Sequence, residues 1–307
     1  MRLDELPTSD NIEDRRGEQG GGGGGGGFGL GSGGLGIGTL VVLGLIGWAT
    51  GIDPRLLIGG AEMLSSHNQS AEPPIRTRPN RTGSPNDQMG QFVAKALGST
   101  EVVWKDIFAQ SGRQYQAPVL VLFSGSTTSR GNDCGGARAA TGPFYCPNDR
   151  KIYLDTSFFR DIERRFRGCE GQACKFSQAY VLAHEVGHHV QNLLGILPKA
   201  QQMQRGVSRT EGNQIQVRVE LQADCLGGVW AYHSQERWKV IEPGDVEAAL
   251  QTASAIGDDR LQKQAQGTVV PDSFTHGSSA QRMRWFQVGL KNGTVASCNT
   301  FDASARL

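Results

Sequence analysis

Ser177-Gln-Ala-Tyr-Val-Leu-Ala-His184-Glu185-Val-Gly-His188-His189-Val-Gln-Asn-Leu-Leu194 is the stretch on which the reading of this chain turns. Apolar residues recur in it at helical spacing, which predicts a helix with one face turned to a core. At about 100° per residue, His184 and His188 lie about 40° apart on one face, one turn above the other. Two imidazoles so placed can meet one metal ion. Glu185 follows the first of them and brings its carboxylate beside the ion, where it can take a proton from a bound water instead of serving as a further ligand. Hydrolysis by a metal-activated water requires that arrangement.

A hydrolytic zinc site needs a third protein ligand and one position left for water. Downstream, Val217-Arg-Val-Glu220-Leu-Gln-Ala-Asp224-Cys225 offers two carboxylates four residues apart, on one face of a second helix that can return across the first. Glu220 is assigned as the third zinc ligand. Asp224 is assigned as the carboxylate that accepts a ligating histidine's other N–H and fixes its tautomer. The reverse assignment, Asp224 on the metal and Glu220 behind it, stays open at this point.

Working outward, the chain has 307 residues and a formal charge of +1, from 31 Lys and Arg against 30 Asp and Glu. No basic field exists to hold nucleic acid, which is excluded as a partner. Glycine is concentrated before residue 60, and Gly20 to Gly27 is an unbroken run. Residues 1–27 are therefore expected to be a disordered cytoplasmic tail. Residues 28–52 carry no charge before Asp53 and include Leu35 to Trp48, so they are expected to form an uncleaved transmembrane anchor. Arg15 and Arg16 precede that segment and only Arg55 closely follows it, which orients the N-terminus to the cytoplasm and the remainder outside it. Residues 53–88, with Pro73, Pro74, Pro79 and Pro85, read as a linker, and residues 89–307 as the metal-binding domain.

All six cysteines lie after that linker, consistent with an oxidising compartment. Cys134 with Cys146 and Cys169 with Cys174 are expected to close local loops, leaving Cys225 to pair with Cys298. Within the domain, Met89–Leu97 and Thr100–Gln110 are expected as short helices. Ala117–Phe123 and Lys151–Asp155 are expected as strands, the latter offering its edge to an extended peptide.

HEVGHH at 184–189 and VELQADCLGG at 219–228 resemble the bacterial neutral zinc metallopeptidases, proteins that often carry an N-terminal membrane anchor. The likeness runs across residues 89 to 300 and includes LGSTEVVW at 97–104, FYCPNDRKIYLD at 144–155 and SFTHGSSAQR at 273–282. More distantly, E-x-x-A-D after H-E-x-x-H is similar to membrane-linked gluzincins. The resemblance implies an α+β, zincin-like domain with a small sheet, an active-site helix and a helical C-terminal half. It implies a single-pass membrane protein with one Zn2+ per chain and a peptide or protein substrate.

His276 stands in a segment similar to one in which gluzincins place an oxyanion-stabilising histidine and a bracing arginine, and Gly277 replaces the proline found there. As a catalytic candidate it would donate to the oxyanion opposite the metal, with Tyr232 in reserve. His189 can line the cleft or pack inside the domain; His67 and His233 carry no assigned role. Two rivals remain. One is a non-catalytic, zinc-stabilised envelope-binding module with Asp224 as fourth ligand. The other is a zinc amidase acting on a non-protein amide, with Cys146 as a ligand.

Overall fold

Val119–Phe123 (β3) and Lys151–Asp155 (β7) are runs of β-branched, aromatic and aliphatic residues, and they pair in parallel, Val121 opposite Tyr153. Both faces of the pair are covered. Leu120, Leu122, Ile152 and Leu154 face the main core, while Val121, Phe123, Tyr153 and Cys146 form a smaller apolar cluster on the other side. The computed structural model describes residues 1–17, 81–128, 134, 136–138, 142–164, 174–305 and 307. Ile12–Asp14 (β1), Arg81–Thr82 (β2) and Phe144–Cys146 (β6) complete a five-stranded mixed sheet in the order β2-β1-β3-β7-β6. Ser126–Thr128 (β4) and Gly136–Arg138 (β5) form a separate two-stranded ribbon.

The rest of the described chain is largely helical: Gln88–Gln110 (α1), Ser157–Arg164 (α2), Cys174–Leu193 (α3), Ile196–Gln204 (α4), Arg209–Trp238 (α5), Asp245–Ala255 (α6), Asp258–Gln266 (α7) and Ser279–Asn292 (α8). An α+β architecture with a small sheet and a helical C-terminal half is therefore present. Capping boxes start two of the helices: Ser208 with Glu211 at α5, and Ser278 with Gln281 at α8. Small residues let helices touch. At Gly187 in α3 a Cβ would stand 2.9 Å from the Ala223 carbonyl of α5, so this position must stay bare for the two helices to close. The Cys225–Cys298 disulfide ties α5 to the C-terminal 3-10 turn Val295–Cys298, and Cys134–Cys146 ties β6 to the preceding connection. Cys174 is disulfide-bonded, and Cys169 lies outside the described residues.

Four expectations change. Residues 89–110 are not two helices: α1 runs through Gly98, because the missing side chain there makes room for the Pro7 carbonyl of the N-terminal segment. The edge strand is β6, not Lys151–Asp155, since β7 is paired on both sides. The linker expected over 53–88 ends in structure, with β2 and the helix-capping Asp87. The largest change concerns the expected disordered tail. Met1, Leu6 and Ile12 are buried in the main core, and the Met1 ammonium lies 2.7 Å from Asp245 and 2.9 Å from Glu242. Polarity misled the sequence reading because the charges are paired: Glu13 with Arg15 and Lys151, Arg16 with Asp14 and Asp87.

β1 lies between β2 and β3, so residues 1–17 and the helical domain occupy the same side of any membrane. An N-terminus in the cytoplasm with the domain outside, joined by one crossing, does not fit this pairing. The apolar segment 28–52 and His67 lie outside the described residues, among which no helix is long and apolar enough to cross a membrane.

Because Ile12 is a central-strand residue only 1% exposed, Ile12→Ala should lower the unfolding free energy by about 2–5 kcal/mol in urea denaturation. The exposed Glu5→Ala should shift it by less than about 0.5 kcal/mol. Equal effects from the two variants would show that β1 is not part of the cooperative unit.

Candidate metal centre and cleft

His184 and His188 project from adjacent turns of α3, and α5 crosses that face where Gly187 meets Ala223. Glu220 Oε2 lies 3.3 Å from His184 Nε2 and 3.5 Å from His188 Nε2, and the three ligand atoms all fall within 4.8 Å of one another. Those separations are long for hydrogen bonds. They match the edge of a zinc tetrahedron, about 3.3–3.5 Å for bonds of about 2.0–2.2 Å. The residues present therefore fit a zinc ion.

The ring nitrogens facing away from this point are both occupied. His184 Nδ1 is 2.8 Å from Asp224 Oδ1, and His188 Nδ1 is 2.9 Å from Gln191 Oε1. Gln191 must present its oxygen there, because its amino group donates to the Val219 carbonyl at 2.8 Å and to Gln222 Oε1 at 2.9 Å. Nδ1 of each histidine is thus the donor to its partner, and Nε2, which carries a lone pair when the ring is neutral, is left to face Glu220. Asp224 sits behind His184, fully buried, where its carboxylate also accepts from Tyr180 Oη at 2.6 Å and from Arg282 Nε and Nη2, both at 2.9 Å. Nδ1 and Nε2 point out of opposite sides of the ring, so Asp224 does not reach an ion held by His184 Nε2. The reversed assignment and the closed four-ligand site both lose their geometry.

The electrostatics follow from this packing. Burial opposes charge on His184, yet the Asp224 carboxylate and its hydrogen bond, with the Glu220 carboxylate nearby, hold its pKa up at about 10. His188 is raised against its burial by Glu220, and the paired histidines keep Glu220 well below the usual carboxylate range although burial pulls the other way. Asp224 is lowered against burial by Arg282 and His184.

The centre opens on a cleft of about 530 Å³, with His184, Glu185, His188, Glu220 and His276 on its walls and β6 along one rim. Glu185 is thus brought to the cleft beside the histidines. His276 reaches it from the turn before α8, and its support is Asp258. One Asp258 oxygen accepts from the backbone N–H groups of Thr275, His276 and Gly277, and the other lies 3.2 Å from His276 Nδ1. The hydrogen bond to Asp258 raises the pKa of His276, whose side chain is about half exposed.

His189 does not face the cleft. Its Nε2 donates to the Gln116 carbonyl at 2.6 Å, leaving Nδ1 to accept from Tyr145 Oη at 3.1 Å, and burial lowers its pKa to about 4. With Asn192, which donates to Tyr145 Oη at 2.9 Å, it fastens rim strand β6 to α3, the helix carrying His184 and His188. His233 bonds the Gly293 carbonyl. Tyr232, the reserve donor, stands against Gly293 and is not among the cleft-lining residues described. Cys146 is in a disulfide, which removes the thiolate the amidase rival needs. Sequence reasoning missed Gln191, Gln216, Tyr180 and Asp258.

The chain is 45% identical over 305 residues to the uncharacterized protein YpfJ of Escherichia coli K12, covering 99% of this chain and 100% of that protein. It is 43% identical over 234 residues to the uncharacterized proteins Mb2605 of Mycobacterium bovis and Rv2575 of Mycobacterium tuberculosis, covering 73% of this chain and 75% of each. No solved structure matches it. The family described as "Putative neutral zinc metallopeptidase" matches residues 1–301, which include every residue of the centre, and this chain belongs to that family.

Proposed function

We propose that this chain is a zinc-dependent endopeptidase with a zincin-like domain, hydrolysing internal bonds of peptide or protein substrates. The observation that carries this reading is the convergence of His184 Nε2, His188 Nε2 and Glu220 Oε2, all within 4.8 Å of one another, beside Glu185 on the wall of an open cleft. His184, His188 and Glu220 would hold the ion, which when bound supplies a Lewis acid and lowers the pKa of its water.

The chain's own groups account for the remaining tasks. Glu185 accepts the proton of the attacking water and returns it to the departing amine. Asp224, locked by Arg282 and Tyr180, and Gln191, locked by Val219 and Gln222, keep the two imidazoles in the ligating tautomer. His276, whose pKa Asp258 raises, donates to the oxygen that gains charge as the carbonyl carbon becomes tetrahedral. The edge strand β6 on the rim suits an extended substrate, which can add to it through main-chain hydrogen bonds. For location, we propose that residues 28–52 bring the domain to a membrane, with residues 1–17 and 81–307 on one side of it.

Glu185→Gln should keep one zinc per chain while hydrolysis of an unfolded protein falls about 10²–10⁴-fold. A chelator should abolish the wild-type activity and added zinc restore it; full turnover by the Gln variant would remove Glu185 as the base. The role of His276 is read in the pH profile. A protonated donor is lost as pH rises through its raised pKa, so that pKa sets the alkaline limb. Asp258→Asn removes the group that raises it, and the alkaline limb should move to lower pH with the acid limb in place. An unmoved limb would assign it to some other group.

A further inference from the structure

The two oxygens of Glu220 are not equivalent. Oε2 faces both histidines, at 3.3 and 3.5 Å, whereas Oε1 accepts a hydrogen bond of 2.9 Å from Gln216 Nε2, one helical turn earlier on α5. The Gln216 amide is itself held in one orientation. Its oxygen accepts from Gln204 Nε2 of α4 at 3.2 Å, and the same Gln204 amino group donates to the Gly212 carbonyl at 3.2 Å. An inverted Gln216 would set its oxygen against the Glu220 carboxylate and its amino group against that of Gln204. The relay Gly212–Gln204–Gln216–Glu220 therefore has one direction, and it ends on the carboxylate oxygen farther from the histidines.

We propose that Gln216 is a positioning residue that reserves Glu220 Oε1 and so restricts Glu220 to ligation through one oxygen. The inference rests on the zinc reading above and deepens it. A carboxylate beside a divalent cation is drawn to bind through both oxygens, and doing so would consume the position that solvent and the scissile carbonyl need. A hydrogen bond to Oε1 opposes that swing, because a strong, charge-assisted contact would have to break. The donor is uncharged, so it holds the oxygen without withdrawing the negative charge that Glu220 brings to the metal. Gln201, Gln204 and Gln216 all line the cleft, which places the relay on the same wall as the open side of the centre.

The full-length chain loaded with cobalt(II) in place of zinc gives a readout independent of turnover, since a four-coordinate ion has intense visible bands and a five-coordinate ion weaker ones. Wild type should show the four-coordinate spectrum. Gln216→Met, which keeps length and removes the donor, should shift it to the five-coordinate one, with kcat of the zinc form down about 10–100-fold and KM nearly unchanged. Gln204→Met, which leaves the donor and removes only its orientation, should give a smaller shift in the same direction. It keeps the idea testable if Gln216→Met does not fold. A purely structural role would lower the melting temperature and leave spectrum and kcat alone, and that result overturns the proposal, as does a wild type that binds no cobalt. Should wild type bind cobalt and cleave nothing, the peptidase reading fails by itself, and the spectra still support or overturn the role of Gln216.

Discussion

Everything at the centre depends on one carboxylate oxygen, Glu220 Oε2, standing between two imidazole nitrogens of a neighbouring helix. Three groups that each favour water are there held in a pocket where Glu220 and His184 are 7% exposed. Burying such groups is unfavourable unless every charge meets a partner. The sequence supplies partners in pairs: Glu220 faces the two imidazoles and would answer a bound cation, and Asp224 behind them is answered by Arg282. A divalent ion with two neutral imidazoles and one carboxylate leaves one positive charge, which suits the stabilisation of a developing oxyanion. Had Asp224 been unpaired, that charge would be cancelled.

Holding this arrangement requires backbones to come close. Gly187 permits the approach of α3 to α5, and Gly228 and Gly289 face the opposing backbones of α8 and α5, so α8 can carry Arg282 to Asp224. The chain of dependence runs from bare positions on three helices to helix spacing, from spacing to the carboxylates' reach, and from reach to the protonation of the histidines. The edge strand joins through His189 and Asn192, so the substrate rim and the metal ligands share one rigid support. A hydrolase needs both fixed in register, because a misplaced scissile bond loses most of the advantage of proximity.

How much of this could be read beforehand follows from locality. His184, Glu185 and His188 are set by helical periodicity alone, and Glu220 with Asp224 by a second application of it. The same rule reaches Gln191, three residues after His188, and Gln216, four before Glu220; they were passed over because amides carry no charge to mark them. Asp258 is different. It is remote from both helices in sequence, and only the folding of the turn at Thr275–Gly277 onto its carboxylate gives it a task. The N-terminal segment was hidden for a related reason, since the acids Asp10, Glu13 and Asp14 followed by Arg15 and Arg16 look solvated until Lys151 and Asp87 arrive from elsewhere.

That segment also bears on why a long glycine-rich insertion is tolerated within this fold. Residues 18–80 leave from β1 and return through β2, whose strands pair antiparallel with Asp14 opposite Arg81, so the insertion begins and ends at neighbouring points. Closing a loop becomes more costly only slowly with length, about 0.6 kcal/mol for each doubling. Against that stand the burial of Met1, Leu6 and Ile12, each removing a side chain from water for roughly 1.5–3 kcal/mol, and the ladder from β1 to β3. The N-terminal strand is therefore held in the sheet by contacts of its own, with the chain leaving and re-entering the sheet at neighbouring points.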